Sequence, residues 1–433
     1  MDRWIGLLGL MITSAVATAP VTGQPKKSAK PPVQQIVPPK TVYWLSAATT
    51  SGIGAMGGKP PSAGEMMRMA MGGGSNGPSK SLNLDLGSKL PPQGPPTAVH
   101  AISPAMAMGT TLTLKTPRPE PRKPVEAGPP GDDFERPKGR LLLFWGCGEA
   151  ARPGQPIVID FAKLAAGQIP PGLFGSERIR TAYPPSASTW PTWGGWPHDD
   201  KPSRQGVPAN ASLIGAHKVT GNYTPDIEFA LVQDWMAGLE MTQTKTAAGA
   251  LMLGWSAVPG TTAHFAQMMG GAKDDRTDTA TVVFWSSSEV QTFISALSDY
   301  IAPAEASRLV GKKQLLPATQ TNCAIPAEAI AASQGGMISL VAHGPEANFV
   351  YPPRPEDPRT PWLQDWSVKA RFVARTGGIA GMDTGPMDGE ERSASKSGKP
   401  KCSATTDPAA MVGGMLGSAM GMFGKRKKPA DCE

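Results

Sequence analysis

Beyond Pro20 the chain has no apolar run long enough to cross a bilayer. Its 4 cysteines include no C-x-x-C pair, which excludes a zinc ribbon. It contains no H-E-x-x-H, no glycine-rich phosphate loop ending in Lys-Ser or Lys-Thr, and no dinucleotide fingerprint. The nearest approach to a nucleophile elbow, Gly254-Trp-Ser-Ala-Val258, lacks the second glycine that would let a strained turn expose the serine. The 5 histidines, His100, His198, His217, His264 and His343, are dispersed. A formal charge of +7 comes from Lys and Arg scattered along the chain, with one run at Lys425-Arg-Lys-Lys428. No basic face interleaved with aromatics appears, so nucleic acid is not an expected partner. These absences leave no identifiable catalytic motif, and the chain reads as a binding or structural protein rather than an enzyme.

With 433 residues and 40% hydrophobic content, the chain is long enough for two domains of ordinary size. Its 50 Gly and 46 Pro exceed a fifth of the sequence and gather in particular stretches, so part of the length is not core. At the N-terminus Arg3 precedes an apolar run from Trp4 to Ile12, and small residues follow at Ala15, Ala17 and Ala19. That order is a secretory signal, with cleavage expected after Ala17 because cutting after Ala19 would leave Pro20 first. The chain is therefore expected to be exported, to the periplasm or the extracellular space, with no transmembrane helix after cleavage. From 18 to 78 the composition predicts a disordered Pro/Gly/Met-rich segment, in which Thr41-Val-Tyr-Trp-Leu45 alone resembles structure. A second disordered tail is expected over 386–433.

Between these ends the pattern is that of strands. Leu82, Leu84 and Leu86 alternate with Asn83 and Asp85, and Thr111-Leu-Thr-Leu114 repeats the period. Arg140 to Trp145 and Gln155 to Phe161 read as two more, and residues 168–208 as a loop. Leu251, Leu253 and Trp255 form one bulky row, and Val258-Pro-Gly260 predicts a turn into a return strand from Ala263 to Met268. Thr281 to Trp285 has the β-branched and aromatic content of a buried strand. After a serine cap, Val290, Phe293, Ile294, Leu297 and Ile301 follow helical spacing, and Pro303 opens a short helix through Val310. Met337 to His343 and Trp366 to Val373 return to strands, the latter with Val368, Ala370 and Phe372 opposite Lys369 and Arg371. The runs ending Phe144-Trp145 and Phe284-Trp285 are each followed by three small residues and Glu149 or Glu289, a pattern read either as an internal duplication or as two independent buried strands.

The run from Ala250 to Gly260, with Phe265 on the next strand, resembles the early strand pair of fibronectin type III and related immunoglobulin-like sandwiches over about residues 250–289. The resemblance implies a two-sheet sandwich and carries no active site. The expected fold is mainly β: two β-sandwich-like units with a few short helices. A β-rich domain is placed at 79–208, and a sandwich domain with inserted helices at 209–385.

Export permits disulfides, and four cysteines allow three pairings. Cys147 with Cys323 is the expected bridge, since both lie in strand-like sequence whereas Cys402 and Cys432 lie in the tail. The candidate ligand site is the loop carrying Trp190, Trp193 and Trp196, followed by His198 and Asp199. Tryptophans there would stack on sugar rings or dock on proteins if exposed, and would plug a domain junction if buried. The primary reading is a cell-envelope protein that binds other envelope proteins or polysaccharide without a cofactor. The alternatives are a carbohydrate-binding module or carbohydrate-active enzyme using the tryptophan loop, and periplasmic Cu(I) handling through Met66, Met67, Met69 and Met71 with Met411, Met415, Met420 and Met422.

Overall fold

The structure is a computed structural model that describes residues 33–52, 77–117, 138–166, 168, 179–197 and 206–382, apart from 275, 278 and 293–294. The signal sequence, both methionine-rich patches, His198, Asp199, Cys402 and Cys432 lie outside the described residues. The first strands are β1 (Ile36–Val37), β2 (Thr41–Gly52), β3 (Ser79–Ser88), β4 (Ala98–Ala101), β5 (Thr111–Leu114), β6 (Gly139–Trp145) and β7 (Ile157–Asp160). The next are β8 (Thr192–Trp196), β9 (Gly215–Gly221), β10 (Thr224–Leu231), β11 (Met241–Lys245), β12 (Leu251–Trp255), β13 (Ala263–Asp274) and β14 (Thr279–Ser286). The last are β15 (Leu316–Pro317), β16 (Asn322–Ile325), β17 (Gly336–Tyr351), β18 (Trp362–Leu363) and β19 (Trp366–Ile379).

The fold is mainly β and sandwich-like. Its main layer is a 10-stranded sheet in the order β7-β6-β14-β13-β17-β19-β2-β3-β8, with β15 paired to β13. A 4-stranded sheet (β10-β9-β4-β5) and a 3-stranded sheet (β11-β12-β16) share one hydrophobic core with its inner face. Tyr43, Leu45, Leu84, Leu86, Trp285, Ala370 and Phe372 from the large sheet meet Leu114, Val219 and Ile227 of one small sheet and Leu251, Leu253 and Trp255 of the other in that core. Period-two alternation explains why: each of these residues occupies the face its strand turns inward, as the patterns of β3, β12 and β19 predict. Burying these side chains supplies the dominant favourable contribution to folding, of order 25 cal/mol per Å² of apolar surface.

The expected boundary at 208/209 is crossed by hydrogen-bonded strands. Parallel β6 lies beside β14, β2 lies beside β19, and β4 pairs with β9. The two segments therefore share sheets and one core. Within 18–78, Thr41 to Leu45 has the structure its pattern suggested, and the expectation of disorder is corrected at residues 46–52, which extend it into the interior strand Thr41–Gly52 between β19 and β3. Its Ala47 and Ala48 carry little local strand signal, and pairing on both sides supplies what propensity does not.

Three further expectations change. The proposed hairpin of β12 and β13 does not form, because β12 pairs with β11 and β16 whereas β13 pairs with β14 and β17. Within 168–208, β8 is a strand at the edge of the large sheet. The helical spacing from Val290 to Ile301 yields a short 3-10 helix at Ser295–Ser298, followed by the expected helix, Pro303–Gly311. The two Phe-Trp runs become neighbouring parallel strands displaced by one residue, so that Phe144 pairs with Trp285.

Trp285 is fully buried, and its indole Nε1 donates to the Gly146 carbonyl at 3.0 Å. Replacing it with alanine is expected to destabilise the protein by about 3–5 kcal/mol. Urea unfolding monitored by circular dichroism measures this, and a loss under about 1 kcal/mol would contradict the core position, given that range.

Candidate functional site on the outer face of the large sheet

The large sheet's second face is apolar toward one side and polar toward the other. Toward β13, Phe265 and Ala263 are covered by Leu297, Ile301, Ala306, Leu309 and Leu315. Toward β3, the outward positions carry charge and aromatics. Asp85 on β3 stands opposite Trp44 on β2, and Trp44 stands opposite Lys369 on β19. In the adjacent row Asn83, Ser46, Arg371 and Glu346 follow one another across the same strands and β17. Extended strands bring these four segments to one surface although β3 and β19 are far apart in the chain.

The Trp44 ring lies under two cations: Lys369 Nζ is 5.4 Å and the Arg371 guanidinium 5.2 Å from its centroid. Tyr300, just after the 3-10 helix, places its ring 5.2 Å from the same guanidinium, so Arg371 lies within cation–π distance of two aromatic rings. Arg371 Nε donates to Ser46 Oγ at 2.8 Å. Glu346 is saturated: Lys369 Nζ lies 2.5 Å from it, Asn348 Nδ2 donates at 2.7 Å and the Tyr300 hydroxyl at 3.1 Å. Arg375 pairs with Asp299 at 3.0 Å.

Burial raises the Asp85 carboxyl to about 6, against the opposing pull of the Arg371 guanidinium and the Trp193 indole. The native carboxyl thus keeps its proton to a higher pH than the unfolded chain, whose value is 3.8. Its contribution to stability is complete below that value and is lost as the pH rises through about 6. Asp85→Asn is expected to stabilise the protein by about 1–2 kcal/mol at pH 7.5, reduced from the full linkage value because the carboxyl is partly solvated. Thermal melts of both proteins should converge toward pH 4, and equal melting temperatures at pH 7.5 would refute the burial argument.

The three tryptophans of the expected loop are placed around β8. Trp196 is buried in the core. Trp193 is half-buried against Gly195, and Trp190 is half-buried over Gly87 beside Pro185, so closely that a methyl group at either glycine would collide with the ring. Lys89 lies 5.7 Å above the Trp190 ring. The tryptophans thus pack the sheet edge: Trp196 faces the core, whereas Trp193 pairs with Gly87, the glycine that the Trp190 ring covers. Trp196 also lines, with Met108, Thr111, Thr113 and Pro208, a depression of about 440 Å³ between β5 and the sheet edge.

All four described histidines are buried. Two form a relay whose proton positions follow from its end: the Leu213 carbonyl can only accept, so His217 Nε2 donates to it at 2.8 Å. His217 Nδ1 then accepts from His100 Nε2 at 3.0 Å, and His100 Nδ1 accepts from the Tyr43 hydroxyl at 2.9 Å. Phe229 stacks on His217. Both rings are neutral in this arrangement, and burial, with the neighbouring His217, lowers His100 to about 3.

Cys147 and Cys323 are joined by a disulfide. Among the described residues no group of three or more His, Cys, Asp or Glu side chains is placed to hold a metal, and no helix is long and apolar enough to cross a membrane. No family model, curated protein or solved structure matches this chain. The outer-face residues escaped the sequence reading because Lys369 and Arg371 looked like an ordinary solvated face. The signal that could have found them is two cations on alternate positions of a strand whose other face is wholly apolar.

Proposed function

We propose that this chain is an exported protein of the cell envelope that works by non-covalent binding or assembly, through the outer face around Trp44 and Arg371. The observation that carries the reading is the distribution of titratable groups. Every described histidine is enclosed in the interior, while Asp85, Glu346, Lys369 and Arg371 meet the rings of Trp44 and Tyr300 on one sheet face. Acid–base chemistry requires a group within reach of its substrate, whereas recognition requires charge and aromatic surface held in fixed register. The Cys147–Cys323 disulfide accords with an oxidising compartment.

Export is tested by mass spectrometry of the mature protein, which should begin between Thr18 and Gln24. The binding role is tested by cross-linking the protein in intact cells and by its sedimentation with isolated envelope polysaccharide. Tryptophans introduced at the exposed positions Asn83 and Asn348 should obstruct the face and abolish capture. Undiminished capture by that double variant would refute the assignment of the face.

The depression beside Trp196 supports a second reading, as a carbohydrate-binding module, because an indole edge bordered by threonines suits a sugar ring. Glycan retention should then fall when Trp196, which lines the depression, is replaced by alanine in a variant shown to be folded. Unchanged retention removes this reading.

A further inference from the structure

We propose that Arg371 anchors an oxoanion site, taking a carboxylate or phosphate group of the ligand that the outer face binds. The inference rests on the binding reading above and names its chemistry.

Arg371 retains 9% of its accessible surface, yet among the described residues no carboxylate lies within ion-pair distance of it. Its neighbours on β19 differ: Lys369 is paired with Glu346 and Arg375 with Asp299. Only Nε of Arg371 is engaged, by Ser46 Oγ, and the two terminal amino groups have no hydrogen-bond acceptor among the described residues. Neither terminal nitrogen is among the fully enclosed atoms that lack a partner, so the fork opens to solvent at the sheet surface, and a guanidinium with its terminal fork free is shaped for the two oxygens of a carboxylate or phosphate. Trp44 and Tyr300, each 5.2 Å from the guanidinium, and the Ser46 hydroxyl hold the group in place, so less side-chain freedom remains to be lost when an anion docks.

The charged groups around the guanidinium determine how the site responds. From β17 comes Glu346, from the segment after the 3-10 helix Asp299 and Tyr300, from β19 itself Lys369 and Arg375, and from β3 Asp85. Glu346 and Asp299 each have a cation at contact distance, whereas Asp85 has none among the described residues. The Asp85 carboxylate, across the Trp44 ring, is therefore the group that opposes an incoming anion. Removing its charge strengthens binding.

Isothermal titration of the mature protein with inorganic phosphate, and separately with D-glucuronate, tests the site at pH 7.5 and constant ionic strength, with chloride as the reference salt. Saturable binding of one or both anions is expected. Phosphate alone would indicate a phosphate-bearing ligand, glucuronate alone an acidic sugar. Arg371→Lys keeps the charge and loses the fork, and should weaken binding by roughly tenfold or more. Asp85→Asn should tighten it several-fold. If Arg371→Lys does not fold by circular dichroism, the Asp85→Asn arm decides, and an affinity equal to that of the unsubstituted protein overturns the proposal. Absence of saturable binding of either anion also overturns it, while capture of envelope components by the same preparation would leave the broader binding role standing.

Discussion

Lowering the pH from 7.5 to 5 is expected to remove about 3 kcal/mol or more of this protein's stability and to lower its melting temperature by on the order of 10 °C. The cause is the set of buried neutral histidines. Burial holds His100 and His343 at about 3, well below the unfolded value of 6.5, and lowers His217 and His264 in the same direction. Below pH 6.5 the unfolded chain takes up protons that the native state refuses, so stability is fully present above that pH and is lost as the pH falls toward the native values. At pH 5, His100 and His343 together account for about 4 kcal/mol, from 1.36 kcal/mol per pH unit for each group. Asp85 acts oppositely, regaining its proton in the native state and returning about 1.4 kcal/mol over the same interval. His217 and His264 add to the loss. Against a typical total of about 5–15 kcal/mol this is a large fraction. Melts recorded at pH 7.5, 6 and 5 measure it, and a profile flat across that interval would show that the histidines are not held neutral. His100→Gln should make the dependence shallower by roughly one proton.

Breaking the Cys147–Cys323 bond should have an effect of comparable size. The bond closes a loop spanning 176 positions, for which chain entropy alone predicts about 5 kcal/mol of stabilisation. It ties the end of β6 in the large sheet to β16 in the 3-stranded sheet. The backbone joins the same two elements beside it, with Gly148 N–H donating to Ala324 at 3.0 Å and Ala327 N–H to Glu149 at 2.9 Å. Replacing both cysteines with alanine, or reducing the native protein, is expected to lower the melting temperature by 10 °C or more, on the order of 2–4 °C per kcal/mol. Since both sheets contribute to one core, the oxidised protein should melt in a single transition. A melting temperature unchanged by reduction, or recovery of the two cysteines as separate alkylated peptides without reduction, would contradict the role of the bond.

The inward faces of the strands were legible in the sequence. The alternation of Leu82, Leu84 and Leu86, of Leu251, Leu253 and Trp255, and of Val368, Ala370 and Phe372 each marks a buried row, and all nine side chains are in the core. The disulfide was legible too, because Cys147 and Cys323 sit in strand-like surroundings. Local pattern failed where alanines carry a strand, as at Ala47 and Ala48, and where proline-rich surroundings made β8 look like loop. In both places hydrogen bonding from neighbouring strands outweighs weak local preference.

What the sequence by itself determined is which residues face inward, since a period of two is written in consecutive side chains. It also determined the compositional division between a strand-rich middle and glycine- and proline-rich ends. Only the tertiary structure decided which strands are neighbours: that β12 and β13 part into different sheets, that β2 lies parallel to β19, and that segments on both sides of residue 208 share one core. The candidate site depends entirely on that second kind of information. Asp85, Trp44, Glu346 and Arg371 lie on four strands, and nothing in the alternation of any one strand names its partner, because pairing is a non-local contact whose energy is shared between segments far apart in the chain.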